Sequence, residues 1–306
     1  MKPYLIILLA VCGFAGLHPS VVRAQNGTSL PTSMYGIGEL AAGDGGRYAG
    51  MGNVGIGVSR AGFLNTFNPA ALTRMDSACF TFDVGVTAYY ARYAFQNERS
   101  SSMEGGPNRF SFGFRLLPRW YMVVGVSPYS SVGYLIQTQE EIEGMPGASL
   151  TSVFRGEGGL YRAYVSQAFV LTPALYAGVC IGMLTGKVTQ SETQEGATVS
   201  DESAKRSLYA DFGLHYQRGR YGLGLVYAPS IRIGHDNRHT YENSSSTNET
   251  EDKSSPSRSQ YLPMRLGAGV SVTGSRCVLA LDYIPTPIGA ATSLPSPPWA
   301  MRTSTS

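Results

Sequence analysis

Two groups of residues have the types and spacing of a binding site, but each has a simpler structural explanation. Segment 50–55 matches the glycine fingerprint of dinucleotide-binding loops, yet no predicted strand precedes it, so packing glycines are favoured. His235 and His239 are candidate metal ligands, but they lie in a polar segment without a nearby cysteine, which favours solvated histidines. The sequence therefore predicts no metal site and no cofactor.

His215 is the only histidine within a predicted strand and the main candidate for a catalytic base. A lipid hydrolase built on a β-barrel needs a serine and histidine pair placed toward the lipid. The alternation of the strand puts His215 on the opposite, polar face. We therefore predict no catalytic residues and no enzyme activity.

The segment from Phe63 to Met75 holds the strongest candidates for a binding or gating site. Its apolar side chains allow two interpretations: packing within a folded segment, which we favour, or lining of a lipophilic pocket. Asn68 precedes Pro69, which restricts both residues to a rigid bend. Asn68 either caps this bend or gates a passage by hydrogen bonding to a surrounding wall. The predicted substrate-binding and gating residues are Asn68, Pro69, Ala70, Phe63, Leu64, Phe67 and Leu72.

Strands must position these residues, because period-2 alternation begins at Cys79 and recurs along the chain. Apolar residues occupy one face of each strand, and small or polar residues occupy the other. We predict about nine strands. They cover about 79–90, 109–116, 120–129, 161–171, 175–188, 207–217, 220–233, 261–272 and 275–284.

The connections alternate between short turns and long polar segments, as in outer-membrane barrels. We predict outer loops at about 96–108, 136–160, 189–206 and 234–260. Charged residues are predicted on the inner face, at Asp83, Arg109, Arg115, Asp211, His215, Arg232, Arg265 and Asp282. Aromatic residues near strand ends are predicted on the lipid face, at Trp120, Tyr216, Tyr221, Tyr90 and Tyr134. An extracellular sandwich with one wet face is the alternative.

Composition agrees with a membrane β-barrel. Of 306 residues, only 15% are charged, whereas 37 are Gly and 19 are Tyr. The net charge of +3 is too small to suggest a nucleic-acid partner. Residues 1–24 have the features of a secretory signal peptide: Lys2, a short apolar run, and small residues before Gln25. We assign 25–78 to an N-terminal plug, 79–284 to barrel strands with long outer loops, and 285–306 to a tail.

The N-terminal region resembles the outer-membrane long-chain fatty acid transporter family, of the FadL/TodX type. The resemblance rests on a Gly- and Ala-rich segment that ends in Asn68-Pro69-Ala70, followed by strands to about Ile284. It implies a hatch inside a transmembrane barrel of about 14 antiparallel strands. It also implies uptake of hydrophobic compounds such as fatty acids, with capture near the outer loops and release through a shift of the hatch.

Nine strands would leave unpaired edges in lipid, and residues 285–306 are rich in proline without alternation. We therefore expect an all-β barrel that is C-terminally incomplete, with a tail that is not native to the fold. The predicted function is hatch-gated uptake in the bacterial outer membrane. A non-transporting secretion or surface-attachment platform and a general diffusion porin are the alternatives. The expected partners of this monomer are hydrophobic small molecules, membrane lipid and lipopolysaccharide.

Overall fold

The computed structural model describes residues 30–41, 46–75, 80–95, 98–141, 149–195, 197–243, 246–249 and 260–285. The predicted signal peptide and all but the first residue of the predicted tail lie outside these ranges. Among the described residues, no helix combines the length and the apolar character needed to cross a bilayer. The fold is an antiparallel, almost entirely β structure, which confirms the predicted fold class at this level.

In the part of the chain that the structure describes, helical structure is limited to 3₁₀ helices at Pro31–Met34 and Pro69–Arg74 and one α-helical turn at Gly46–Ala49. The strands are β1 (Glu39–Leu40), β2 (Thr81–Phe95), β3 (Glu98–Leu117), β4 (Trp120–Glu141), β5 (Ser149–Val170), β6 (Leu175–Gln194), β7 (Ala197–Arg218), β8 (Tyr221–Ala228), β9 (Ile231–Asn243), β10 (Ser246–Glu249), β11 (Gln260–Leu262), β12 (Arg265–Thr273) and β13 (Val278–Tyr283).

The sheet is a meander in the order β13-β12-β8-β7-β6-β5-β4-β3-β2. β8 and β9 pair in turn with the same edge of β7, and β12 and β11 pair with β8 and β9. β8 and β9 form one strand that is interrupted at Pro229, and β11 and β12 form one strand that is interrupted at Pro263. The interruptions arise because proline cannot donate a hydrogen bond to the ladder. With these two pairs joined, and with the short β1 and β10 set apart, the described residues form a meander of nine strands, the number predicted. Within the described residues β2 and β13 have no partner on their outer edges, so these strands do not close a barrel.

Several segments predicted as outer loops are strands, and this prediction was wrong. β4 and β5 pair continuously from Trp120–Phe169 to Glu141–Ser149, and β6 and β7 pair from Leu175–Tyr216 to Gln194–Ala197. The outer parts of these strands are mostly polar, and their few apolar side chains do not alternate regularly, so period-2 alternation does not reveal them. The hydrogen-bonded ladder between the strands holds them in place. A strand of 22 residues spans about 70 Å, whereas the hydrocarbon core of a bilayer is about 30 Å thick.

The two faces of the sheet differ in chemistry. The outer face carries large apolar side chains that remain exposed, among them Phe82, Val86, Leu208, Leu225 and Leu281. The inner face, defined here as the face against which residues 30–75 pack, carries small, polar and some buried apolar residues. A continuous exposed apolar face of this size is rare on soluble monomers.

Two predicted orientations are wrong, and both follow from irregular pairing. Arg232 is exposed on the outer face while Ile233 is buried inside, because the register shifts by one residue between Phe212–Tyr227 and Arg206–Gly234. Tyr134 is buried on the inner face, because β4 has an irregularity between Pro128 and Ser130. A one-residue slip reverses every side chain that follows it.

Residues 46–75, here called the inner segment, make the sheet curve. Gly55 in this segment hydrogen bonds to Asp282 of β13, whereas Leu64 lies against Gly113 of β3. Asn65, which follows Leu64, donates a hydrogen bond to the carbonyl of Gly55. Strands at opposite ends of the sheet therefore meet the same small group of residues, and the sheet wraps around the inner segment.

Glycines on the inner face allow this close approach. A Cβ added to Gly178, Gly213, Gly224 or Gly269 would collide with the inner segment, in most cases with its backbone. The sites lie on β6, β7, β8 and β12, so the contact extends over four strands. A single methyl group at any of them forces the segment away from the sheet.

We predict that Gly178→Ala lowers stability by about 2–3 kcal/mol, because the new Cβ meets the backbone of Pro69 and Ala70. Thermal unfolding of the detergent-purified chain, followed by electrophoretic mobility, measures the change. Gly106→Ala is the control, since a Cβ at Gly106 has no neighbouring atom within 4 Å. Equal unfolding midpoints for the two variants would contradict the proposed close contact.

Candidate functional site

Asn65 holds the inner segment in its folded shape. Its Nδ2 donates to the carbonyls of Gly55 and Val58, both at 2.8 Å, and its Oδ1 accepts from the amide of Phe67 at 2.8 Å. The side chain is buried. The sequence analysis missed this residue; its only signal is a second asparagine three residues before Asn68, where a side chain can replace a backbone partner.

Asn68 both caps a helix and contacts the sheet. Its Oδ1 accepts from the amide of Ala70 at 3.0 Å, which caps the 3₁₀ helix Pro69–Arg74. Its Nδ2 donates to the carbonyl of Ile56 at 2.9 Å and to that of Leu214 in β7 at 3.1 Å. One fully buried side chain therefore makes both the helix cap and the hydrogen bond to the sheet.

Pro69 and Ala70 are buried where the inner segment approaches β6 and β7 most closely. Atoms of Pro69 lie against Gly178 and Gly213, and the amide of Ala70 lies against Gly178. Proline at the first helical position suits this arrangement, since it needs no partner for an amide hydrogen. The Asn68-Pro69-Ala70 motif is thus the main contact between the inner segment and the centre of the sheet.

The predicted apolar site residues lie in two places. Leu64 and Leu72 are buried in a cluster with Met75 and with side chains of β4 and β5; its other members are Tyr121, Val123, Tyr164 and Ala168. Phe67 packs edge-on against Tyr48, with ring centroids 5.6 Å apart. Phe63 is half-buried in the same segment. In these positions the described side chains pack against one another and against the sheet.

Burial around Tyr48 is nearly complete. It raises the pKa of the Tyr48 phenol above its ordinary value because the charged form would lose its hydration. The phenol is therefore neutral at physiological pH. Tyr48 acts in the packing of Phe67.

Asp282 of β13 holds the part of the inner segment around Gly55 and Ile56. Its Oδ2 accepts from the amides of Gly55 and Ile56, at 2.6 and 2.8 Å. Beside it, Ser271 of β12 donates to the carbonyl of Gly57 at 2.6 Å. The sequence analysis placed Asp282 correctly on the inner face but did not identify these partners, which lie more than 220 positions away.

The inner face next to this segment is polar. Arg109 pairs with Asp83 at 2.7 Å, Arg265 lies 3.6 Å from Asp211, and Arg162 donates to Ser127 at 2.7 Å. A small recess lies between the inner segment and these strands. It is lined by Asn65, Thr66, Pro69, Leu72, Val123, Arg162, Tyr164, Ser166, Cys180, Tyr209 and Asp211. Its chemistry suits water or a small polar molecule.

Residues 30–41 cover the inner face beyond the recess, farther from the short turns. Ser33 exchanges hydrogen bonds with the backbone of Gly133, both at 3.1 Å. The buried Lys205 of β7 donates to the carbonyl of Gly36 at 3.0 Å and to Gln260 at 2.9 Å. β1 pairs with β4 at Ser130 and Ser131. Two successive parts of the N-terminal region therefore occupy the inner face.

The hydrogen bonds of His215 and His239 go to side chains of the sheet. His215 is fully buried, stacks on Tyr176, and has Gln217 as its hydrogen-bonding partner at 3.2 Å. His239 pairs with Asp201 on the outer parts of β9 and β7. Over the described ranges, no three His, Cys, Asp or Glu side chains come together as a metal site.

We predict that Asn68→Ala destabilises the chain by roughly 2–4 kcal/mol, because it removes three buried hydrogen bonds. Asn68→Asp keeps the oxygen that accepts from the amide of Ala70, but it places a carboxylate oxygen against the carbonyls of Ile56 and Leu214. We therefore expect Asn68→Asp to be less stable than the wild type as well. Thr66→Ala, in the same segment, is the control. Protease resistance of the folded chain measures all three, and a wild-type result for Asn68→Asp would show that only the helix cap matters.

Comparison with curated proteins finds no match to the chain. The model of the BamG family matches residues 5–281, which include the inner segment and almost the whole sheet. The coarser expectation, an outer-membrane β-barrel family, agrees with this match; the narrower one, a fatty acid transporter family, is not shown by it. The chain belongs to the BamG family, a β-barrel family associated with the bacterial outer membrane.

Proposed function

We propose that this protein is a non-transporting outer-membrane subunit that serves as a fixed platform in β-barrel assembly, with the inner segment as a permanent plug. The association of its family with the outer membrane and with β-barrel assembly supports this role. The exposed apolar outer face supports placement in a bilayer. The observation that carries the proposal is the attachment of the inner segment to the sheet.

Moving the inner segment would be costly. Asn68, Asp282 and Ser271 join it to the sheet through hydrogen bonds to backbone groups. Each buried polar group left without a partner costs about 1–3 kcal/mol. The glycine contacts on four strands add packing that fits only one position of the segment. A platform needs a rigid plug of this kind, whereas a hatch must release these bonds in every cycle.

The open edges constrain how such a platform sits in a membrane. Unpaired amides and carbonyls on β2 and β13 are not tolerated in hydrocarbon. These edge strands are the first and ninth of an antiparallel meander, so they run in the same direction. An odd number of further strands closes the barrel with antiparallel pairing throughout. The platform therefore acts with both edges covered by additional strands.

Depletion of the protein tests the platform role. We expect the folded, heat-modifiable forms of other outer-membrane barrels to decrease several-fold, while periplasmic proteins keep their amounts. The full-length gene supplied in trans should restore them. Unchanged levels of folded barrels after complete depletion would exclude a role in assembly.

Uptake of hydrophobic compounds such as fatty acids through a hatch-gated passage is the second candidate. It is favoured by the position of Asn68-Pro69-Ala70 at the contact between inner segment and sheet, where the resemblance implies a hatch. In this role Asn68 gates the passage, Leu64 and Leu72 line it, and the expected ligands are hydrophobic small molecules.

Radiolabelled oleate uptake into a deletion strain carrying the full-length gene separates the two functions. Oxidation of the Thr66→Cys variant tests whether this position can be joined to Cys180, since both positions line the recess, in a background with Cys79 and Cys277 changed to serine. A platform should keep its activity after cross-linking, whereas hatch-gated uptake should stop. If Asn68→Ala leaves a demonstrated uptake unchanged, Asn68 does not gate.

A further inference from the structure

Two arginines stand at the border between the apolar and polar parts of the outer face. Arg206 of β7 is paired in register with Gly234 of β9, and Arg232 lies two residues before Gly234. Ser207 donates to the carbonyl of Arg232 at 2.7 Å, which fixes the two strands against each other. Gly234, which lies between the two arginine positions, adds no side chain to this part of the outer face.

A row of exposed apolar side chains lies directly beside these arginines. Leu208, two residues beyond Arg206, is 73% exposed and pairs in register with Met183 of β6. Tyr261 of β11, opposite Arg232, is 64% exposed. Below this row the outer face is largely apolar down to the short turns, and above it β5, β6, β7 and β9 are largely polar. The arginines therefore mark one edge of the apolar band.

Among the described residues, no carboxylate neutralises the positive charges at this edge. In the described ranges neither Arg206 nor Arg232 forms an ion pair, whereas the neighbouring Lys187 is paired with Glu202. Asp236, in the next outward row of β9, is exposed and makes no ion pair with either guanidinium. Two unneutralised guanidiniums beside an apolar row form a surface complementary to a lipid with a strongly anionic headgroup.

We propose that Arg206 and Arg232 bind the phosphate groups of a phosphorylated glycolipid of the outer leaflet, with its acyl chains on Leu208, Met183 and Tyr261. The inference rests on the proposed placement in the outer membrane. Short turns of such barrels face the periplasm, so the arginine edge faces the outer leaflet. Guanidinium groups bind phosphate oxygens through paired, charge-assisted hydrogen bonds. Tyrosine suits the interface beside them.

The test uses the full chain purified from outer membranes in mild detergent, with bound lipid measured by native mass spectrometry. Bisphosphorylated lipid A is the probe, and its dephosphorylated form, phosphatidylglycerol and inorganic phosphate are the comparison ligands. The variant is Arg206→Gln with Arg232→Gln. The matched control is Arg218→Gln with Arg220→Gln, which removes two exposed arginines at the opposite end of the sheet. Arg206→Lys with Arg232→Lys retains the charge.

We expect the Gln variant to bind bisphosphorylated lipid A roughly tenfold more weakly than wild type. The Lys variant should lie between them, and the control should match wild type. Equal binding by the Gln variant, equal binding of the dephosphorylated form, or full competition by phosphatidylglycerol or inorganic phosphate would overturn the proposal. Heat-modifiable mobility shows that each variant is folded. The outcome is independent of the assembly role, which the depletion experiment measures on other proteins.

Discussion

The structure depends on satisfying the buried backbone of the inner segment without a sheet of its own. Nearly all buried amides and carbonyls in proteins have a partner. Here side chains supply several of those partners: Asn65 within the segment, Asn68 toward β7, and Asp282 from β13. Glycines on the sheet make these bonds geometrically accessible by allowing the two backbones to meet. The curvature of the sheet follows, because strands from both ends must reach the same short segment.

The sheet has two regions with different surface chemistry. Near the short turns, the inner segment and the apolar outer face form the region suited to a bilayer. Farther away, the long ladders of β4 to β7 continue as a polar extension, partly covered on its inner face by residues 30–41. In the proposed membrane placement, such an extension offers a rigid surface well beyond the bilayer. A platform for other proteins uses that rigidity, whereas gating requires the inner segment to lose contacts that stabilise the whole fold.

Part of the fold was predictable from alternation, and part of it was not. The number of strands, their antiparallel order and the position of Asp282 on the inner face follow from side chains with period two. The outer halves of β4 to β7 were missed, because strands with polar residues on both faces show no period. Arg232 and Tyr134 were assigned to the wrong faces because a single irregularity in pairing is not visible in composition. For the same reason, the sequence did not show that Arg206 and Arg232 both lie on the outer face.

The sequence by itself determined the class of the protein: a low charge, abundant glycine and alternating strands leave few folds other than a β-barrel type. It also located the Asn68-Pro69-Ala70 motif, because proline fixes the local backbone wherever it occurs. Only the tertiary structure decided what that motif contacts, which glycines of the sheet it packs against, and that Asp282 of β13 hydrogen bonds to the inner segment. Those choices depend on contacts between residues more than a hundred positions apart, and such contacts form only when the register of every intervening strand is set.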